Sequence, residues 1–277
     1  MSGVRFNARR ASKNRPLIGL SLCSFDPAFI DISANLGIDI IWIEMEHANI
    51  SMSEAESLCR AINANQMLSL IRLPCGNRDI VLRAAESGVD MLMLPMVNDA
   101  ADLRTFVNHA RYAPAGGRGF HKLSRSMNFG FGDSVSELCR QANDNLMLWG
   151  QVETLTALRN LPELCEVDGI DGLFAGPGDL SSAYGAPGDT ADQRVLDAVS
   201  TTIASSHKFA KCAGSAAAPE DVPRWMPHRI DMLMVGNNLG FYISAGKALR
   251  DELGRAFEAA EGLSDNQLPM NDSRICR

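Results

Sequence analysis

Eight times along the chain a short run of β-branched, Leu or Met residues gives way to a stretch with helical spacing. The runs fall at 17–22, 39–44, 68–73, 90–94, 146–152, 170–175, 211–215 and 231–235. Helices are expected at 27–36, 53–63, 77–86, 99–109, 134–143, 154–166, 190–206, 219–226 and 239–260. Strand, helix, strand in that order makes right-handed crossovers and parallel strands. Eight such units in about 250 residues make a closed (β/α)8 barrel, an α/β fold. An open doubly wound sheet would show a glycine fingerprint after the first strand, and 17–27 carries none.

At 277 residues the chain fits one barrel without a linker. The expected organisation is a basic N-terminal arm over 1–15, solvated and carrying Arg5, Arg9, Arg10, Lys13 and Arg15; a single barrel over 16–261; and a flexible polar tail over 262–277. A long loop is expected over 111–133. Net charge is −7, which argues against a nucleic-acid surface. No apolar run reaches membrane-spanning length, and the N-terminus lacks a secretory core, so a cytoplasmic location is expected. Seven scattered cysteines without a C-x-x-C pair read as reduced thiols.

In a (β/α)8 barrel, chemistry sits at the C-terminal ends of the strands. Here those ends carry Glu44-Met45-Glu46-His47, Arg72-Leu73-Pro74, Pro95, Gln151-Val152-Glu153 and Gly176-Pro177-Gly178-Asp179. Two neighbouring parallel strands deliver Glu153 and Asp179 to one edge, with Gln151 on the same strand face as Glu153. Such a pair can form half of a hard-metal site, or the two acids can serve helix first turns. Lys211 begins its strand and lies at the wrong end of a barrel for a Schiff-base nucleophile.

With these residues in view, the chain resembles the HpcH/HpaI group of class II, metal-dependent pyruvate aldolases, which cleave 4-hydroxy-2-oxo acids. The likeness runs from about 17 to 256. It is carried by Ile43-Glu44-Met45-Glu46-His47, Arg72-Leu73-Pro74, Leu94-Pro95-Met96-Val97, Arg111-Tyr112-Ala113-Pro114 with Gly116-Gly117-Arg118-Gly119, Gln151-Val152-Glu153, and Asp168-Gly169-Ile170-Asp171-Gly172 leading to Gly176-Pro177-Gly178-Asp179. The resemblance implies a reversible lyase making pyruvate and an aldehyde through a metal-stabilised enolate. It also leaves open oxaloacetate decarboxylation or enolate condensation of the macrophomate-synthase or citrate-forming kind.

By the same resemblance, Glu153 and Asp179 bind Mg²⁺, Mn²⁺ or Co²⁺, and Gln151 holds a water or orients Glu153. The amides of Gly178 and Asp179 receive the substrate carboxylate, Arg72 neutralises the enolate oxygen, and His47 is the general base. Relatives assemble as hexamers, trimers of dimers, by exchanging the last helix. Three departures stand out. Glu44-Met45 replaces Asp-Gly, and Glu86 replaces an Asp; both acids support the catalytic histidine in relatives. Gly214-Ser215-Ala216-Ala217 replaces a bulkier Gly-Ile-Leu, which implies a pocket either enlarged or rehydrated.

Overall fold

The computed structural model describes residues 3–132 and 134–264. Its elements, in chain order, are α1 (Val4–Ala11), β1 (Leu17–Leu22), α2 (Pro27–Asn35), β2 (Ile40–Glu44), α3 (Met52–Ala64), β3 (Leu68–Arg72), α4 (Arg78–Glu86), β4 (Met91–Leu94), α5 (Ala100–Ala110), α6 (Val135–Asn145), β5 (Met147–Val152), α7 (Leu155–Arg159), α8 (Leu161–Cys165), β6 (Gly172–Ala175), α9 (Pro177–Ala183), α10 (Gln193–Lys208), β7 (Cys212–Ala216), α11 (Val222–Trp225), β8 (Met232–Asn237) and α12 (Asn238–Ser264). All eight strands pair in parallel and in sequence order, and β1 pairs with β8 to close the barrel.

Strand periodicity sorts the core into two layers. Ile40 and Trp42 of β2 join Leu68, Leu70, Met91, Met93, Trp149 and Phe174 inside the barrel. Ile41 and Ile43 face the helices with Leu58, Ile62, Leu92 and Leu103. The helix expected over 154–166 is broken at Asn160 into α7 and α8, with Pro162 in the first turn of α8. Contacts divide the chain after Asn238, so the barrel is one compact unit and α12 belongs to a second. The tail expected from 262 is helical through Ser264 and otherwise lies outside the described residues.

The basic arm expected over 1–15 differs most from expectation. Val4–Ala11 is a helix whose Phe6 is buried and meets Trp149 edge to face, with ring centroids 5.9 Å apart, at the floor of the barrel. Its arginines are consumed by acids. Arg5 reaches Asp90 at 2.6 Å, Arg9 reaches Asp39 at 3.0 Å and Arg10 reaches Asp231 at 2.7 Å. These acids belong to a fourfold pattern. Before each even strand stands Ile or Val followed by Asp: Asp39, Asp90, Asp171 and Asp231. Each Asp accepts the backbone N–H of the preceding odd strand, from Ile18, Ser69, Leu148 and Ala213 respectively, at 2.8 to 3.1 Å. Two residues earlier the backbone is left-handed every time, at Gly37, Gly88, Gly169 and Arg229, the turn that ends a helix and re-aims the chain into a strand. Arg111 serves Asp171 at 2.9 Å.

Candidate active site

The tips of β2 and β3 are locked together. Glu44 and Arg72 are register partners, and Arg72 Nε donates to Glu44 Oε2 at 2.7 Å while Nη2 lies 2.5 Å from the same oxygen. Trp42 Nε1 donates to that oxygen too, at 3.0 Å, and the guanidinium sits 5.1 Å from the Trp42 ring centroid. The other oxygen of Glu44 accepts the backbone N–H groups of Glu46 and His47 at 2.7 and 3.0 Å. One buried carboxylate therefore fixes both the arginine and the turn bearing the histidine. Arg72 Nη1 reaches Glu46 Oε2 at 3.1 Å, and His47 Nε2 lies 3.8 Å from that oxygen. The His47 side chain is 63% exposed. Burial pushes the Glu46 carboxyl above its usual range; Arg72 and His47 oppose the shift, and Glu44 and Asp179 add to it.

A second lock stands at β5 and β6. Glu153 is buried; its Oε1 accepts the Met96 N–H at 2.6 Å and its Oε2 accepts from Gln151 Nε2. Asp179, in the first turn of α9, is exposed and stands close enough to Glu153 to act on its carboxyl. Burial above all pushes the Glu153 carboxyl up to about 8; the Met96 N–H works against this, and Asp179 and Glu46 add to it. Gly176 lets these groups close up, because a Cβ there would stand 2.9 Å from both Gln151 Nε2 and Glu153 Oε2. Neither acid is a helix cap: Thr154 caps α7 through the Ala157 N–H at 3.0 Å, and α9 has no side-chain cap.

Arg72, His47, Gln151, Glu153 and Asp179 all stand at strand tips or just beyond them on one rim, as their spacing implied. Glu44 belongs with them, but its partners are Arg72, Trp42 and the backbone of Glu46 and His47, not the His47 ring. Glu86 ends α4 and lines a surface groove with Ser53, Arg83, His121 and Arg125; the described polar contacts of His47 do not include it. Gly178 has open space where a Cβ would project, so the turn is free for a ligand to approach rather than crowded by protein. Lys211 donates to the Val167 and Ile170 carbonyls, away from the strand tips.

Two rim residues named in the sequence motifs were given no role there. Glu46 sits two places after Glu44, and the Glu-x-Glu-His spacing itself was the available signal. Met96 carried none: it is a non-glycine residue at φ 53°, and this strained turn is what aims its N–H at Glu153.

The rim suits a divalent cation. The Asp179 carboxyl stands beside the buried Glu153 carboxyl and helps to raise it, and Gln151 Oε1 is buried without a partner. A cation would relieve the first cost and a cation-borne water the second. Among the described residues no group of three or more His, Cys, Asp or Glu side chains is set to hold a metal. The protein's share would then be the carboxyl pair.

A closed parallel barrel with these groups on its C-terminal rim is a (β/α)8-barrel enzyme. Residues 17–221 match the family model described as HpcH/HpaI aldolase/citrate lyase. A 2-keto-3-deoxy-L-rhamnonate aldolase from Klebsiella pneumoniae is 34% identical over 230 residues, 82% of this chain and 85% of the relative. One from Escherichia coli O6:K15:H31 is 32% identical over 238 residues, 85% and 88% of the two chains. The crystal structure of an HpcH/HpaI aldolase/citrate lyase family protein from Burkholderia cenocepacia superposes with a TM-score of 0.80 at 24% identity, covering 89% of this chain and 97% of that one. The chain belongs to the HpcH/HpaI aldolase/citrate lyase family, and it is a carbon–carbon lyase of the aldolase type.

Proposed function

We propose that this lyase cleaves a 4-hydroxy-2-oxo acid reversibly to pyruvate and an aldehyde, with Mg²⁺, Mn²⁺ or Co²⁺ held by Glu153 and Asp179. The observation that carries the metal assignment is the carboxyl pair itself, a buried Glu153 raised to about 8 with Asp179 beside it. When bound, the ion supplies Lewis acidity that favours the enolate over the oxo acid.

The remaining work falls to the chain. Met96 N–H and Gln151 Nε2 hold Glu153 at one orientation, and the free first-turn amides of Gly178 and Asp179 receive the substrate carboxylate. Arg72 spends three of its five N–H groups on Glu44 and Glu46, leaving two for the oxygen that gains charge. That contact is worth roughly 3 kcal/mol in the transition state. His47, on its anchored turn, takes the hydroxyl proton in cleavage and a methyl proton of pyruvate in condensation. Glu44 is a positioning residue for both Arg72 and His47.

The same reading includes a homo-oligomer, a trimer of dimers, joined through α12, on which Leu239, Phe241, Ile243, Leu249, Leu253 and Phe257 are exposed. The free cysteines of the described residues suit a reducing compartment such as the cytoplasm. No described helix is long and apolar enough to cross a membrane.

The test is cleavage of 4-hydroxy-2-oxo acids by chelator-stripped protein, with pyruvate release followed before and after each divalent ion is returned. Activity should vanish on stripping and return with the ion. Full activity in stripped protein overturns the metal assignment, and carbon dioxide release from oxaloacetate without any aldol cleavage overturns the reaction.

A further inference from the structure

Two cavities open on opposite sides of the rim. One, of about 460 Å³, is walled by Glu46 beyond the tip of β2 and by Pro74, Cys75, Pro95 and Met96 beyond the tips of β3 and β4. Through Glu46 it borders the turn that bears His47. The other, of about 510 Å³, lies at the tips of β7, β8 and β1 and includes Pro177 and Gly178 of the α9 turn. Leu196, Val199, Ala216, Ala217, Trp225 and Val235 make its wall largely apolar, and Ser21 of β1 contributes only a short side chain. Asp221 is the only charged residue among those lining it.

A 2-oxo acid held by its carboxylate at the Gly178–Asp179 turn has its C3 substituent two bonds beyond the carbonyl carbon, within a few ångström of that turn. The second cavity begins there, and pyruvate, with only a methyl group, leaves it unfilled. Resting on the proposed function, we infer that this cavity receives an uncharged alkyl substituent on C3 of the donor. The enzyme is therefore built for linear 2-oxo acids longer than pyruvate, such as 2-oxobutanoate and 2-oxopentanoate. An acidic substituent is disfavoured twice, by desolvation against the apolar wall and by Asp221. Small residues at Ala216 and Ala217 set the depth.

The half-reaction is proton exchange at C3. His47 takes a C3 proton, the C–H electron pair becomes the C2–C3 double bond, and the carbonyl pair moves onto oxygen; in heavy water a deuteron returns to C3. Intact Mg²⁺-loaded protein is incubated with pyruvate, 2-oxobutanoate, 2-oxopentanoate or 2-oxoglutarate, and exchange is followed by proton NMR. Affinity of each acid is measured in parallel by calorimetry. Each methylene moved into the cavity should raise affinity and kcat/KM roughly fourfold, and 2-oxoglutarate should fall below pyruvate. Ala216→Leu and Ala217→Leu should each lower the 2-oxopentanoate-to-pyruvate ratio roughly tenfold. Pyruvate exchange with no gain for the longer acids overturns the inference alone, as does a ratio unmoved in both variants. No exchange with any acid overturns the proposed function and this inference with it.

Discussion

Glu44 shows how one side chain can govern a site without touching substrate. It holds Arg72 through Oε2 and the Glu46–His47 backbone through Oε1, so removing its charge frees the arginine and loosens the histidine turn together. Glu44→Gln should therefore lower kcat far more than it alters KM, because Arg72 acts on charge that develops only in the transition state. His47→Asn should slow C3 proton exchange roughly 10²- to 10⁴-fold while calorimetric metal affinity stays close to that of the parent; a matching loss of metal would contradict the base assignment. Glu44 reaches past its own strand to the turn beyond. That reach follows from the rotamer and the register and could not be read from the residue type.

At the scale of the element, α1 is the clearest lesson. Five basic residues without an acid look like a solvated arm when the chain is read linearly, because their partners Asp39, Asp90 and Asp231 are far away in sequence. Folding collects those acids into one ring at the barrel floor, and the arm becomes a helix bearing its counter-charges. Phe6→Ala should cost about 3 kcal/mol of unfolding free energy, read from urea denaturation. Burial alone would raise the Asp39 carboxyl; the Ile18 N–H and the Arg15 and Arg9 guanidiniums outweigh it and hold the group below its usual value. A carboxyl more acidic in the folded chain than in the unfolded one stabilises the fold above the unfolded pKa, and that contribution disappears as pH falls through the folded value. Asp39→Asn should accordingly lower stability at pH 7 and flatten the loss expected as pH falls below the ordinary carboxylate range; an unchanged acid limb would show that other groups govern it.

For the whole molecule, the apolar side chains exposed along α12 are the feature that assembly must answer. A helix of 27 residues with exposed leucine and phenylalanine side chains calls for a partner surface. Truncation after Asn238 should reduce the assembly measured by sedimentation, while the circular dichroism of the barrel persists. An unchanged assembly would place the subunit contacts elsewhere. The barrel itself was legible from the chain because each of its eight units declares its strand by local apolar periodicity and sends its tip to the same rim. The identity of Glu153, Asp179, Gln151, Arg72 and His47 as rim residues followed from that geometry alone. What only the tertiary structure decided were the relations that cross units: Met96 turning its N–H onto Glu153, Glu44 tying two strands to one turn, the aspartate ring gripping α1, and the apolar cavity beside Gly178. Local sequence fixes where a strand starts and stops. Which side chains then meet depends on register and closure, and those are set by the packing of the whole barrel.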